Sequence, residues 1–96
     1  MASVYILYSK IADKYYIGST KELKTRIEYH HNKEFKNSFT SKYNDWELFY
    51  SINEVSNTTA RKIESHIKRM KSIIYMENLK KYPEISPKLV QKYTIQ

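Results

Sequence analysis

The chain has 96 residues and no cysteine, which leaves room for one modest core and excludes a disulfide framework or a thiolate metal site. Its net charge of +7 points to a polyanionic partner or an acidic surface, while 15% aromatic content and only two prolines argue against intrinsic disorder. No apolar stretch approaches a membrane span and the N-terminus lacks a basic-then-apolar leader, so no membrane association and a cytoplasmic setting, beside the nucleoid when bound to it, are expected.

Residues 3 to 9 (SVYILYS) are β-branched and aromatic without a breaker and read as a strand. A short turn segment, KIAD, leads into KYYIGST, a second strand that must pair with the first as an antiparallel hairpin. Alternation puts Tyr5 and Leu7 on one face and Val4, Ile6 and Tyr8 on the other. Tyr16 shares a face of the second strand with Gly18, the only glycine in the chain. Ser19 and Glu22 fit a capping box, which predicts a helix straight after the hairpin with Leu23, Ile27 and His30 or His31 facing inward. Arg26 and His30, four apart, lie on one flank of it.

KEFKNSFTSKYND, residues 33 to 45, has no period and reads as a long loop. WELFYSI follows as a third strand of mixed alternation. SNTT then offers N-cap candidates to a helix whose apolar stripe runs through Ala60, Ile63, Ile67, Met70 and Ile74. Glu64 falls on one edge of that stripe near Arg61, Lys68 and Lys71, and His66 on the opposite edge. Pro83 and Pro87 mark a break before a short final helix over SPKLVQKY. The expected architecture is α+β: a small three-stranded antiparallel sheet flanked by helices, order β-β-α-β-α-α. It forms a single domain over residues 1–96, with its core in 3–75 and a helical extension in 76–96.

Ser3-Val4-Tyr5 on the first strand, Tyr16-Ile17-Gly18 on the second, Arg26 on the next helix and Glu64 on a later one resemble, in that order, the GIY-YIG nuclease family. The likeness covers about residues 3 to 75. It is closest in kind to small stand-alone bacterial domains similar to the amino-terminal nuclease module of the excision-repair endonuclease. Ser3 stands where the name-giving glycine would, a change a strand accepts. The resemblance implies a metal-dependent endonuclease hydrolysing phosphodiester bonds of nucleic acid, with DNA the expected polymer and a role in DNA repair in view. Glu64 is then the ligand of one Mg²⁺ (or Mn²⁺), which binds hard oxygen donors and keeps several waters. Arg26 anchors phosphate through its planar guanidinium. Tyr5 is the candidate general base, which requires Arg26 and the metal to lower a pKa that starts near 10.

Tyr16 positions water or phosphate, and His30, as in many small members, shuttles a proton or holds the scissile phosphate. Without the resemblance, Glu64 reads as an i,i+4 partner of Lys68, and the two tyrosines as strand residues at the edge of the core. His31 and His66 read as packing residues. Lys14, Arg61, Lys68 and Lys71 are expected to neutralise the nucleic-acid backbone without reading sequence. Target choice is left to nucleic-acid structure, a protein partner or self-association. A catalytically silent nucleic-acid-binding module is the alternative function. A side chain at Gly18 is expected to crowd either the helix packing or the approach of phosphate.

Overall fold

In the computed structural model, which describes residues 1–26 and 45–94, the chain opens with the expected hairpin. β1 (Ala2–Ser9) runs antiparallel to β2 (Lys14–Thr20), with Tyr5 opposite Gly18 and Leu7 opposite Tyr16. Asp13 closes the turn in the left-handed region, φ 52°, which aspartate tolerates, and its carboxylate accepts from the Tyr8 hydroxyl at 2.8 Å. β3 (Glu47–Val55) pairs with the other side of β1, giving the order β2-β1-β3 with both later strands at edges. Asp45 clamps the hairpin turn to the start of β3. Its carboxylate accepts from the Ser9 hydroxyl at 2.6 Å and the Ile11 amide at 2.9 Å, and these bonds hold its pKa below the ordinary carboxylate value.

The mixed alternation of the third strand has a physical cause. The register of β1 against β3 slips between Ile6 and Leu7, whose partners are Tyr50 and Leu48, so Phe49 is an extra residue. Phe49 and Tyr50 therefore both lean on the helix-covered face, Phe49 edge-on to Tyr15 at 5.2 Å between ring centroids. A second slip lies between Ala2 and Val4, where Glu54 takes φ 60°.

After the hairpin the chain is helical at residues 23–26, here α1. α2 (Asn57–Met70), α3 (Ile73–Lys81) and α4 (Ile85–Thr94) follow β3. The expected order holds through α2, but the long helix is divided. Lys71 ends α2 in the left-handed conformation and Ser72 caps α3 by accepting from the Tyr75 amide at 3.1 Å. Met70 and Ile74, read as core, are consequently exposed, and Ile74 belongs to α3. The final helix matches expectation, with Pro87 in its first turn.

The two faces of β1 build two apolar clusters. Ala2, Val4 and Ile6 pack with Ile52, Val55, Ala60, Ile63, Ile67, Met76, Leu79 and Leu89 beneath α2, α3 and α4, so residues beyond 75 help to close this core. Tyr5, Leu7 and Trp46, all at most 1% exposed, form the second cluster with Tyr16 and Leu23 against them. The tyrosine face is thus a small core of its own.

Candidate active site

Gly18 explains how the tyrosine face reaches an edge. Its backbone is not in the left-handed region, so no turn requires a glycine there. A Cβ at this position would instead lie 2.5 Å from the Tyr5 hydroxyl and 2.7 Å from Cζ. The Tyr5 ring crosses β2 at the one residue that has no side chain. The expectation that a side chain at Gly18 would obstruct something holds, but the obstructed group is Tyr5 itself. Tyr16, half-buried, lies beside it at 6.3 Å between ring centroids.

Burial drives the Tyr5 pKa well above its ordinary value, the Tyr16 hydroxyl and the Glu64 carboxylate add to this, and Arg26 opposes it without prevailing. Arg26 alone does not supply the lowered pKa that a general base needs, and a bound metal would have to supply it. Without a cation beside it, the Tyr5 hydroxyl keeps its proton at neutral pH. That Arg26, Glu64 and Tyr16 all act electrostatically on Tyr5 also shows that these four side chains converge.

Glu64 arrives from the other side of the sheet. Its half-buried carboxylate accepts from the Ser19 hydroxyl through Oε1 at 2.6 Å and from the Lys68 ammonium through Oε2 at 2.7 Å. Both readings of Glu64, partner of Lys68 and member of a polar site, describe the same carboxylate. The Lys68 ammonium is largely exposed, and an i,i+4 pair of this kind is worth only a few tenths of a kcal/mol. The bond from Ser19 is charge-assisted and half-shielded, in a class worth about 1.5–3 kcal/mol, so Ser19 sets the direction of Glu64.

Ser19 was expected as a helix cap, and this is corrected. β2 continues through Thr20, the Glu22 amide donates to the Thr20 hydroxyl at 3.1 Å, and helical bonding starts with the Arg26 amide donating to the Glu22 carbonyl at 3.0 Å. Ser19 is the polar-site residue that the sequence reading missed. The available signal was its place one residue beyond Gly18, on the face that α2 covers.

Arg26 is half-buried on α1, and Lys14 stands exposed at the start of β2, two residues before Tyr16 and on its face. Arg61 lies one turn before Glu64 and is exposed, and Lys71 forms the cap of α2. His30 and His31 lie outside the described residues. His66 behaves as the packing residue it was read to be. Its ring contacts the Tyr93 hydroxyl at 2.8 Å through Nδ1 and the Tyr75 hydroxyl at 3.1 Å through Nε2, tying α2 to α3 and α4. Ser3 donates to the Asn53 side chain at 2.9 Å, so serine is accommodated where the motif has glycine.

Among the described residues no three His, Asp or Glu side chains gather as a metal cage. A single oriented carboxylate fits a hard cation that keeps most of its own waters, and Mg²⁺ and Mn²⁺ suit such an oxygen site. A family model, the GIY-YIG catalytic domain, matches residues 1–78. No curated protein and no solved structure matches the chain.

Proposed function

The chain belongs to the GIY-YIG family, whose domains are nucleases, and from that premise we propose that it is a divalent-metal-dependent endonuclease hydrolysing phosphodiester bonds of DNA through a single-metal site. The observation that carries the reading is the convergence of Tyr5, Tyr16, Arg26 and Glu64 across Gly18 at an edge strand. Hydrolysis requires that a water oxygen attack phosphorus, that charge on the phosphoryl oxygens be stabilised and that the departing oxygen gain a proton. Glu64, aimed by Ser19, would hold the cation, with Mg²⁺ or Mn²⁺ supplying Lewis-acid polarisation of a phosphoryl oxygen when bound. Arg26 offers two parallel donors to the phosphate. Tyr5 Oη is the general-base candidate, directly or through a water, and the bound cation would have to supply the lowering of its pKa that Arg26 alone does not. Tyr16 borders the same opening and orders what enters it, and His30 is assigned either proton shuttling or a hold on the scissile phosphate. Lys14, Arg61, Lys68 and Lys71 supply sequence-independent attraction.

The test is a panel of single-stranded, duplex, flap and junction DNA, and RNA counterparts, incubated with Mg²⁺ or Mn²⁺. Cleavage should depend on the metal and disappear in both Glu64→Ala and Arg26→Ala. Equal cleavage by wild type and Glu64→Ala would dismiss the reading, and salt-sensitive binding without cleavage on every substrate would replace it with a silent binding module.

A further inference from the structure

A polar hollow of about 180 Å³ lies beside the candidate active site, where the end of β2 meets the start of α2. Ser19, Thr20, Lys21, Arg26, Asn57 and Arg61 line it. It shares Ser19 and Arg26 with the candidate site and is lined further by Lys21 and Arg61. Three of its six lining residues are cations and none is a carboxylate. Lys21 and Arg61 are exposed, and among the described residues the one ion pair is that of Lys68 with Glu64, which leaves both cations to solvent. A second depression, lined by Arg61, Lys62, Ser65, Arg69 and Tyr93, adjoins the first through Arg61 and again carries no carboxylate. Arg61, Ser65 and Arg69 recur every four residues, so they run as one line along α2 for about 12 Å. Lys68 lies beside Arg61 around the helix but is paired with the Glu64 carboxylate, and Lys71 lies past the end of α2 as its cap.

We propose that this hollow is a binding subsite for a second, uncut phosphodiester of the nucleic-acid strand, held by Lys21 and Arg61. From there the strand runs along the Arg61–Arg69 line of α2. The inference rests on the nuclease reading for its polymer, but its chemistry is that of any phosphate. The Thr20 hydroxyl and the Asn57 side-chain amide adjoin a pocket lined by three cations, which suits an anion with several acceptor oxygens; the Ser19 proton is already given to Glu64. A subsite one step from the cutting point also lets binding energy fix the strand's register.

The experiment uses Glu64→Gln protein, so that nothing is cut, with a short labelled duplex. The slope of log binding constant against log salt is compared with that of the same protein carrying Lys21→Ala and Arg61→Ala. The slope should become shallower by about 0.9, the loss of one phosphate contact on duplex DNA. A control carrying Lys10→Ala and Lys88→Ala, both distant and exposed, should keep the parental slope. In a second arm, single phosphates are replaced in turn by uncharged methylphosphonates. One position besides the scissile one should weaken binding to the parent and have no effect on the Lys21/Arg61 variant.

A parental slope in that variant, with unchanged thermal melting, overturns the proposal. So does saturable binding of inorganic phosphate at Lys21 and Thr20, seen by amide shifts, when the duplex slope is unaffected, since the hollow would then take free phosphate. If wild-type protein cuts nothing but the slope falls, the nuclease reading fails and the subsite stands. If it cuts and the slope holds, the subsite alone fails.

Discussion

Replacing Gly18 with alanine adds one methyl group at the tightest contact of the candidate site. The new Cβ would stand 2.5 Å from Tyr5 Oη, 2.7 Å from Cζ and 3.1 Å from Cε1. Ordinary carbon contacts begin near about 3.5 Å, so relief needs a displacement of about 1 Å. Tyr5 has little freedom to supply it, being 1% exposed and wedged against Leu7 and Trp46, which are fully buried. Overpacking of this kind costs about 1–3 kcal/mol. Gly18 has no positive φ, so alanine also gains about 0.4–1 kcal/mol by restricting the unfolded chain. The balance is a loss of about 1–2 kcal/mol. In a domain of this length each kcal/mol lowers the melting temperature by about 4–8 °C.

Because a shift of about 1 Å at a reacting centre can cost roughly 100-fold, cleavage should fall by more than stability alone explains. Urea melts and cleavage rates of Gly18→Ala, Tyr5→Phe and the double variant separate the causes. Tyr5→Phe removes the atom in closest contact, so it should recover about 1 kcal/mol of the Gly18→Ala stability loss, short of the whole because Cζ remains close. Gly18→Val should be worse than Gly18→Ala, and Ser3→Gly, which loses one exposed hydrogen bond, much milder than either. A Gly18→Ala protein as stable as wild type and uncoupled to Tyr5→Phe would refute the close approach as the reason for the glycine.

Two further outcomes follow from the same geometry. Ser19→Ala should weaken Mn²⁺ binding, measured calorimetrically without nucleic acid, by about 10- to 100-fold, with Ser19→Thr restoring much of it; unchanged affinity would deny Ser19 its orienting role. The His66 pKa is lowered by burial and by the nearby Lys92 and Arg69 charges. Its neutral form is thus favoured in the fold, and that stability is whole above the unfolded value near 6.5 and lost as pH falls from there through the lowered folded value. His66→Gln should flatten urea midpoints across about pH 7 to 5, and an equal pH slope in the variant would clear His66 of responsibility.

What could be read from the sequence was what depends on a simple period. β1 alternates without interruption, so the division of Val4 and Ile6 from Tyr5 and Leu7, and the antiparallel hairpin itself, were both legible, while the register that opposes Tyr5 to Gly18 was not. β3 was not, because the register slip at Phe49 sends two consecutive aromatics to one face and erases the period. The break after Met70 was hidden for the opposite reason. Ile74 continues the spacing of Ile63, Ile67 and Met70, and only the Ser72 cap, competing locally, ends that helix early. Trp46 read as a strand residue, yet it is the largest fully buried side chain and covers the tyrosine face. Glu64 was visible only through the family resemblance, since its local pattern with Lys68 is that of any surface pair. Ser19 was assigned to a cap because S-x-x-E fits one, while its hydroxyl was committed to a carboxylate 45 residues away.

These placements explain why the site can exist at all. Tyr5 and Tyr16 belong to one face of the sheet, while Glu64 belongs to a helix on the other, and a sheet interior would keep them apart. β2 is an edge strand, so groups from both faces can meet around it. Gly18 lets the Tyr5 ring lie across the strand, and Ser19, the next residue and therefore on the opposite face, holds the Glu64 carboxylate. The pair Gly18-Ser19 thus joins the two faces, one by lacking a side chain and the other by donating a hydrogen bond. Exchanging the two residues, Gly18→Ser with Ser19→Gly, keeps composition, length and charge but removes both functions. It should abolish cleavage, while Ser19→Ala alone should leave residual activity at high metal concentration. An active exchanged protein would mean that the convergence at this edge does not carry the chemistry.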